Sequence, residues 1–374
     1  MNIGFDAKRA LYNRTGLGNY SRNLITALLQ YYPEHHYQLF TPKLKAQHLM
    51  QSQPPSEAFH YITPSGGLWP GALWRSFGIP FCFSKQQTQI FHGLSAELPY
   101  TPRNKPIKYV VTIHDLIFLR LPHLYSAIDR KIYLHKTQYA CKRADIIIAI
   151  SEQTKRDLIE FLHIEPARIK VVYQNCNPAF AQIAAIDRLE AVRKQYDLPE
   201  RFLLNVGTIE ARKNARVILE ALLKVPEDIK LVIVGKATAY QQELEQYIRQ
   251  HPALSSRVQI LNNVGYQDLI AIYQLAHIFI YPSIFEGFGI PVIEALSAGL
   301  PVIAATGSCL EEAGGPSSLY FAPDDADTLA AHIHHLWHND QACKDSITAA
   351  QEHIKTFSAE QFAQNTMAVY QSLV

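Results

Sequence analysis

Short apolar runs alternate with amphipathic segments along almost the whole chain. In the first half we interpret the apolar runs as buried strands, at residues 3–6, 37–40, 89–92, 109–114 and 146–150. Between them apolar residues recur at helical spacing in 18–30, 128–143 and 152–162, and Ser151 is a candidate N-cap for the last of these helices. This strand-helix-strand order predicts a parallel sheet that helices cover on both faces.

The same alternation continues through the second half. We expect strands at 202–206, 231–234, 258–261, 278–281 and 302–305, and helices at 215–224, 240–249, 267–274 and 291–298. Two such sets predict the fold class α/β, with two doubly wound, Rossmann-like domains that face each other across a cleft. The length of 374 residues agrees, because chains beyond about 250–300 residues usually divide into domains.

The alternation is interrupted near residues 177–200, where Asn177-Pro178 precedes a charged segment. We therefore predict a first domain at 1–180 and a second at 181–355. The last segment, 356–374, is a helix that follows the completed second sheet, which leaves it free to cross back to the first domain. The stretch 64–84 is rich in glycine, proline and aromatic residues. We interpret it as an irregular packed connection, with a substrate-facing loop as the alternative.

Composition excludes several classes of protein. An apolar content of 48% and a charged content of 18% are typical of a globular protein, and a net charge of +2 without a basic block argues against a nucleic-acid partner. The 16 histidines are scattered without paired Cys/His spacing, so no metal site is predicted. Five widely separated cysteines favour free thiols in a reducing compartment. With no apolar run of about 18 residues and no signal core, we expect a cytoplasmic protein.

The most informative stretch is 283–294, Ser-Ile-Phe-Glu-Gly-Phe-Gly-Ile-Pro-Val-Ile-Glu. It follows a strand and opens a helix, because Pro291 suits the first helical position and Gly299 suits the helix end. Glu286 lies in the loop and Glu294 in the first turn or so of the helix, so both can face one ligand. Carboxylates accept hydrogen bonds from vicinal hydroxyls, which favours a sugar or a ribose. Acids that only stabilise a helix N-terminus are the alternative.

A second motif, 206–214, reads Val-Gly-Thr-Ile-Glu-Ala-Arg-Lys-Asn and also joins a strand to a helix. Asn214 is a candidate N-cap. Arg212 and Lys213 are adjacent at a helix N-terminus, where they would neutralise a diphosphate. Gly207 and Thr208 let a ligand approach the backbone, which favours phosphate binding over a solvated basic turn.

The first half carries weaker signals. Gly16 and Gly18 open a helix and permit close contact with a phosphate or a sugar. The third glycine of a dinucleotide fingerprint is absent, so an oxidoreductase is not predicted. His114 ends a strand at the edge where ligands bind, and we favour a ligand contact over a structural role. His92 ends another strand and is ranked lower.

Together these groups resemble the retaining glycosyltransferases of the GT-B fold, in the large family 4 of nucleotide-sugar-dependent enzymes, and in particular the bacterial mannosyltransferase-like group 1 enzymes. The most specific match is the signature Glu286-Gly-Phe-Gly-x-Pro-x-x-Glu294. The resemblance covers nearly the whole chain. Asn262-Asn263-Val264 departs from the Gly-Tyr-Val that is frequent in the family, and Ala359 stands where an aromatic residue is common.

The resemblance implies a role for each matching residue. Arg212 and Lys213 would hold the donor diphosphate, and Glu294 would hold the ribose hydroxyls. Glu286 would contact the transferred sugar, and His114 would face that sugar from the other domain. The catalytic candidates are therefore His114, Arg212, Lys213 and Glu286. The donor-binding candidates are Gly16, Gly18, Gly207, Thr208, Val264 (through its backbone to the base), Phe288, Gly289 and Glu294.

The resemblance implies a metal-independent hexosyltransferase that moves a hexose from a nucleotide diphosphate sugar to a hydroxyl of a glycan or lipid-linked glycan, with retention of configuration. No carboxylate stands out as a nucleophile, so front-face attack is favoured. GDP-mannose is the preferred donor, and no cofactor is expected. Peripheral contact with a membrane stays open, although no strongly basic amphipathic helix occurs. The alternatives are a nucleotide-sugar epimerase or phosphorylase of the same fold, and a non-catalytic nucleotide-sugar-binding protein.

Overall fold

The computed structural model describes residues 1–13, 15–44, 59–64, 70–101 and 107–374. Contacts between Cα atoms divide the chain into two compact units. The first unit comprises Met1–Asn175 together with Ala359–Val374, and the second comprises Cys176–Ser358. Each unit contains one parallel sheet with helices, so the predicted α/β class with two doubly wound domains is confirmed.

The first unit is built on a sheet of seven strands in the order β3-β2-β1-β4-β5-β6-β7. Every pair of neighbouring strands is parallel. The strands are β1 (Asn2–Asp6), β2 (His36–Phe40), β3 (Phe59–Ile62), β4 (Ile90–Gly93), β5 (Lys108–Ile113), β6 (Ile146–Ala149) and β7 (Ile169–Val171). The chain order reverses between β1 and β4, and open parallel sheets bind ligands at this position.

The helices of the first unit lie between these strands in the chain, apart from α16 at the C-terminus. They are α1 (Lys8–Tyr12), α2 (Gly16–Tyr31), α3 (Gly71–Leu73), α4 (Ile79–Gln86), α5 (Ile117–Arg120), α6 (Ala127–Arg143), α7 (Glu152–Leu162) and α16 (Ala359–Gln371). Ser151 caps α7 as predicted, because its Oγ accepts a 3.0 Å hydrogen bond from the backbone N–H of Thr154.

The second unit has six parallel strands in the order β10-β9-β8-β11-β12-β13. They are β8 (Leu203–Val206), β9 (Leu231–Val234), β10 (Val258–Leu261), β11 (Ile278–Tyr281), β12 (Val302–Ala305) and β13 (Leu319–Phe321). The helices are α8 (Ile186–Gln195), α9 (Ala215–Leu222), α10 (Ala239–Gln250), α11 (Tyr266–Leu275), α12 (Ile290–Ser297), α13 (Leu310–Gly314), α14 (Ala326–Trp337) and α15 (Asp340–Lys355). Here the chain order reverses between β8 and β11.

The three strands that the sequence analysis missed, β3, β7 and β13, all lie at sheet edges. Each has only three or four residues and is partly exposed. Every residue of β8, β9, β11 and β12 is buried, in contrast. Strands buried on both faces give continuous apolar runs, and short edge strands do not.

Within the stretch 64–84, residues 65–69 lie outside the described residues, and residues 71–84 are helical rather than the irregular connection that we predicted. Residues 71–86 form α3, a π-helical turn at Trp74–Gly78 and α4, whereas Trp69 lies outside the described residues. Pro80 has no N–H, so it cannot donate a hydrogen bond to the carbonyl of Ser76, four positions earlier. The backbone N–H of Tyr100 donates to that carbonyl instead, at 2.7 Å, which lets the chain stay helical past the proline.

The two units divide after Asn175, whereas the sequence analysis placed the boundary after residue 180. The 3₁₀ helix Pro178–Ala181 packs against α11 and α12, so these residues fold with the second unit. At the C-terminus, α16 packs along α2 in the first unit. The ring of Phe362 lies 5.5 Å from the ring of Tyr20 in this contact, one turn beyond the Ala359 at which the helix begins.

All five cysteines are free thiols. No helix in the described part of the chain is both long and apolar enough to cross a bilayer. Within the same ranges, no group of three or more His, Cys, Asp or Glu side chains is arranged to hold a metal ion.

Candidate functional site

The reversal point of the second sheet gathers the charged residues that the sequence analysis selected. After β8 the chain forms a short loop and the 3₁₀ helix Ala211–Lys213 before α9. After β11 it forms the loop that carries Glu286 and then enters α12. Because β8 and β11 are parallel neighbours, both loops leave the sheet at the same edge.

At this edge, one carboxylate oxygen forms ion pairs with two cations. Oε1 of Glu286 lies 2.6 Å from Nζ of Lys213 and 2.8 Å from Nη1 of Arg212. Arg212 also pairs with Glu210, at 2.6 Å from Nη2 to Oε1. We call Arg212, Lys213 and Glu286 the charge cluster. The structure therefore brings together three of the four catalytic candidates.

Two residues that the sequence analysis did not select complete the charge cluster. The hydroxyl of Tyr281, at the end of β11, accepts a 2.5 Å hydrogen bond from Nζ of Lys213 and donates to Oε1 of Glu286 at 3.3 Å. Ser283 Oγ donates to the same oxygen at 2.5 Å. A polar hydroxyl at the end of an otherwise apolar strand was the available sequence signal for Tyr281.

The electrostatics of the charge cluster keep Glu286 ionised. Burial alone would raise the pKa of this carboxyl, but the charges of Lys213 and Arg212 outweigh it and hold the pKa below its ordinary value. Burial lowers the pKa of Arg212, and the Glu286 and Glu210 carboxylates more than compensate, so the pKa is raised. Two cations and one anion give the charge cluster a net charge of +1, which the partly exposed Glu210 beside Arg212 offsets.

The charge cluster keeps a hydrogen-bond donor available for an anion. An ammonium carries three N–H donors, and Lys213 uses two of them on Tyr281 and Glu286. The side chains of Lys213 and Arg212 are each only 16% exposed, so an anion at this edge would meet them with little screening by water. This combination suits a phosphate group.

In the segment that follows β8, the structure agrees with the prediction for Gly207 and differs from the prediction for Asn214. Gly207 has φ of +154°, a conformation that favours glycine, and its position faces the Lys213 stem. Thr208 beside it is exposed. Asn214 precedes α9, but its side chain makes no capping hydrogen bond. Its Nδ2 donates instead to the carbonyls of Pro323 at 2.7 Å and Pro282 at 3.3 Å. Asn214 therefore links its own loop to the loops that contain these two prolines.

Glu294 lies in the second turn of α12 rather than the first, because the helix begins at Ile290. Pro291 is accordingly the second helical residue. Oε2 of Glu294 accepts a 3.1 Å hydrogen bond from the hydroxyl of Tyr273, and burial raises the pKa of the carboxyl to about 7. Among the described residues no hydrogen bond or ion pair joins Glu294 to the charge cluster. That the two acids face one ligand stays a prediction.

The turn between the two acids requires its second glycine. Gly289 has φ of +108°, and a Cβ there would lie 2.7 Å from Cδ2 of Leu310. The ring of Phe288 is buried and packs at 5.6 Å on the ring of Phe357. A ligand at this turn would therefore meet the backbone rather than the Phe288 ring.

Val264, the candidate for base contact, follows β10 and is partly exposed. The preceding Asn262 is one of the departures from the family pattern. Its Nδ2 donates to the Gly235 carbonyl at 2.7 Å and to Oε1 of Gln241 at 3.0 Å. Asn262 therefore anchors the loop that positions Val264.

In the first unit, His114 directly follows β5. Its Nε2 lies 2.9 Å from the Leu94 carbonyl oxygen, and its ring lies edge-on to Tyr20 at 4.5 Å. A carbonyl can only accept, so Nε2 carries the proton and Nδ1 is an acceptor. Burial lowers the pKa of His114 to about 4, which keeps the ring neutral at physiological pH. A neutral acceptor of this kind suits a hydroxyl group.

Gly16 and Gly18 serve different purposes. Gly16 begins α2, and a Cβ there would meet open space. At Gly18 a Cβ would lie 1.8 Å from the Asn13 carbonyl oxygen, so this glycine is needed for the loop to pack on its own helix. Only Gly16 leaves room for a ligand.

His92 belongs to the core, in keeping with its lower rank. It is fully buried, with Nδ1 2.6 Å from the Tyr370 hydroxyl and Nε2 2.8 Å from Thr112 Oγ1. Burial lowers its pKa to about 3. The side chain joins α16 to β4 and β5 through hydrogen bonds.

Two family models account for most of the chain. The glycosyltransferase family 4 model matches residues 14–178, and the glycosyl transferases group 1 model matches residues 189–353. The chain belongs to this glycosyltransferase family. The predicted resemblance is confirmed, and the two-unit architecture is the GT-B fold of these enzymes.

Relatives of this glycosyltransferase include mannosyltransferases of Escherichia coli. O-antigen chain mannosyltransferase B of Escherichia coli is 26% identical over 288 residues, which cover 76% of this chain and 74% of that protein. The serotype-specific mannosyltransferase WbdA of Escherichia coli is 30% identical over 246 residues, which cover 64% of this chain but only 30% of WbdA. The solved structure of HepE from Anabaena in complex with UDP has a TM-score of 0.74 at 16% identity and covers 99% of both chains, which shows a shared fold.

Proposed function

We propose that this glycosyltransferase transfers a hexose from a nucleotide diphosphate sugar to a hydroxyl group of a glycan or lipid-linked glycan, with retention of the anomeric configuration and without a metal ion. The observation that carries the proposal is the charge cluster at the reversal point of the second sheet. The two largely buried cations suit a diphosphate, and Glu286 beside them suits a sugar hydroxyl.

The chemistry that fits these groups is a front-face displacement. The bond between the anomeric carbon and the diphosphate oxygen breaks, and a bond forms from the acceptor oxygen on the same face. The departing diphosphate takes the acceptor proton. Lys213 and Arg212 would stabilise the negative charge that develops on the diphosphate, as preorganised donors do at other leaving groups. Glu286 stays a hydroxyl ligand, because its two ion pairs make its carboxylate a poor nucleophile.

The other site residues have proposed roles in binding the donor. Glu294 would accept the ribose hydroxyls, and Val264 would meet the base through its backbone. Gly16, Gly207, Thr208, Phe288 and Gly289 would line the donor through backbone groups, and Gly18 would hold the loop that presents Gly16. His114 would accept a sugar hydroxyl at Nδ1. Mannose from GDP-mannose is the proposed donor sugar, supported by the mannosyltransferase relatives.

The test begins with a thermal-shift screen of the protein against GDP-mannose, UDP-glucose and dTDP-glucose. A donor at about 100 times its Kd stabilises the fold by about 2.7 kcal/mol, which raises Tm by several degrees. We expect GDP-mannose to give the largest rise. The proposal of a sugar-nucleotide donor is wrong if none of the three shifts Tm.

Product analysis then separates the proposed reaction from its alternatives. Nuclear magnetic resonance of the product with an acceptor present should show the same anomeric configuration as the donor, and transfer should continue in EDTA. An epimerase would convert the donor sugar without acceptor, and a phosphorylase would require inorganic phosphate. Binding without turnover of any acceptor would favour the non-catalytic alternative.

A further inference from the structure

A solvent-exposed phenol lies in the part of the second unit that holds Glu294. Tyr266 is the first residue of α11 and follows Val264 by two positions. Because α11 begins where β10 ends, Tyr266 lies at the carboxyl edge of the second sheet. It is 45% exposed, whereas Tyr273 on the same helix is fully buried. Tyr266 has no role in the site described above.

Packing around Phe180 brings Tyr266 towards Glu294. The ring of Phe180 is nearly perpendicular to the rings of Tyr266 and Tyr273, at centroid distances of 6.1 Å and 5.2 Å. The hydroxyl of Tyr273 reaches Oε2 of Glu294 at 3.1 Å. Burial and then the charge of Glu294 raise the pKa of Tyr266 to about 12, so this phenol also senses the carboxyl and keeps its proton at neutral pH.

Asn177 fixes the direction of the hydrogen bond at the Tyr266 hydroxyl. Oδ1 of Asn177 accepts a 2.9 Å hydrogen bond from the backbone N–H of Ala179, so Nδ2 is the group that faces Tyr266. Nδ2 can only donate, and it donates to the Tyr266 oxygen at 2.7 Å. In the described part of the chain this hydroxyl makes no other hydrogen bond. Its own proton is therefore available to a ligand.

This phenol proton complements Glu294 on a ribose. A carboxylate accepts the protons of two vicinal hydroxyls but has no proton to give in return. Each ribose oxygen then keeps lone pairs that need a donor. Tyr266 offers such a donor near the same carboxyl.

We propose that Tyr266 is a second ligand of the donor ribose, and that its hydroxyl, held by Asn177, donates to one of the two ribose hydroxyls whose protons Glu294 accepts. This inference rests on the proposed function, because it requires a nucleotide whose ribose lies at Glu294. It adds a residue that determines specificity. With Tyr266 in place, the site requires the intact vicinal diol more strictly than Glu294 alone would.

Calorimetric titration with deoxynucleotides tests the proposal. The probes are GDP and UDP, each with its 2′-deoxy and 3′-deoxy analogue, and the series whose parent nucleotide binds the wild type is used. Wild type should bind each deoxy analogue about tenfold or more weaker than the parent nucleotide. In Tyr266→Phe the affinity for the parent should fall by about fivefold to tenfold, and the ratio of parent to analogue affinity should fall by the same factor for one of the two analogues. A general disturbance of the site would lower all affinities and leave the ratios unchanged.

A second variant tests the direction of the hydrogen bond. Asn177→Asp keeps an oxygen for the N–H of Ala179 but presents an acceptor to Tyr266, so the phenol proton turns to the new carboxylate and away from the ribose. The same fall in the affinity ratio is expected as in Tyr266→Phe. Tyr196→Phe is the matched control, because it removes a phenol that donates to Asp268 of α11 at 2.8 Å, and it should leave every affinity unchanged.

The outcomes separate this inference from the proposed function. If neither GDP nor UDP binds the wild type, the proposed donor class is wrong and the inference fails with it. If wild type distinguishes the parent from its deoxy analogues and Tyr266→Phe leaves both ratios unchanged, the role of Tyr266 is overturned and that of Glu294 stands. Equal wild-type affinities for the parent and both analogues would overturn the ribose roles of both residues.

Discussion

Lys213 and Glu286 are 73 positions apart in the chain, and a 2.6 Å ion pair joins the ammonium of one to the carboxylate of the other. The pair exists because β8 and β11 are parallel neighbours at the point where the sheet order reverses. Each residue lies in the loop that follows one of these strands. The fold thus places Lys213, the candidate for phosphate binding, in contact with Glu286, the candidate for sugar binding.

Replacing Lys213 by alanine should lower kcat by about a hundredfold or more, because a preorganised donor to a developing anion is worth about 3–4 kcal/mol in the barrier. Steady-state kinetics with the donor found in the thermal-shift screen measures the change. Lys224→Ala is the matched control, since Lys224 also pairs with a carboxylate at 2.6 Å, on the exposed Asp327. Equal kcat values for the two variants would contradict the role of Lys213.

Glu286→Gln should separate binding from turnover. Loss of the carboxylate charge makes the charge cluster more positive by one unit, so a nucleoside diphosphate should bind more tightly while kcat falls. Calorimetric titration and kinetics measure the two effects. Glu210→Gln removes the partly exposed acid that also pairs with Arg212, at 2.6 Å, and should change both quantities much less. Weaker diphosphate binding by Glu286→Gln would contradict this prediction.

Donor binding should depend on pH through Glu294. Burial raises the pKa of this carboxyl to about 7 in the folded protein, and the ionised form is the stronger acceptor for two ribose hydroxyls. Affinity should therefore increase as pH rises through about 7, and Glu294→Gln should bind weakly with little pH dependence. A wild-type affinity that is flat between pH 6 and 8 (about one unit on each side of that pKa) would count against the ribose role.

The same carboxyl predicts an effect on stability. An unfolded glutamate has a pKa of about 4.3, so between about 4.3 and 7 the folded protein holds a proton that the unfolded chain has released. The contribution of Glu294 to the free energy of unfolding should decrease as pH rises through this window. Denaturant titrations of wild type and Glu294→Gln at pH 5 and 7.5 measure it, with the difference between the two proteins shifting in favour of the variant at the higher pH.

Tyr281→Phe should lower kcat with little change in KM. The variant loses the hydroxyl that accepts from Lys213 and donates to Glu286, so both groups lose one fixed partner while their charges remain. We expect about a tenfold loss, near the value of one hydrogen bond to a charged group. Tyr320→Phe is the control, because its hydroxyl bonds the Gly315 carbonyl at 2.6 Å away from the charge cluster. An unchanged kcat for Tyr281→Phe would show that the hydroxyl is dispensable for positioning.

Much of the fold followed from the sequence because central parallel strands are apolar on both faces. β11, Ile-Phe-Ile-Tyr, was found with its bounds unchanged. β3 and β13 were missed, since strands at a sheet edge carry a shorter and weaker apolar signal. The helix around Trp74–Gly78 was missed because glycine and proline normally interrupt helices. Tyr100, from a distant segment, supplies the hydrogen bond that Pro80 cannot, and local pattern does not reveal such a partner.

The candidate site was predictable in its charges and less so in its detail. Arg212, Lys213 and Glu286 stood out as charged residues beside glycines after apolar strands. Tyr281 escaped notice because its aromatic ring belongs to the strand pattern, and Asn214 was given a capping role that its side chain does not perform. The hydrogen-bond partner of a side chain depends on the positions of loops that are distant in the sequence. Asn214, for example, donates to the carbonyl of Pro323, and the sequence pattern does not predict that this carbonyl lies nearby.

The most direct test of the central claim compares two ligands on two proteins. The claim is that the charge cluster binds the diphosphate of the donor. We expect the double variant Arg212→Met/Lys213→Met to bind guanosine diphosphate at least about a hundredfold more weakly than wild type, as loss of two charge-assisted contacts implies. Binding of the uncharged nucleoside guanosine should be unchanged. An equal loss for both ligands, or no loss for the diphosphate, would contradict the claim.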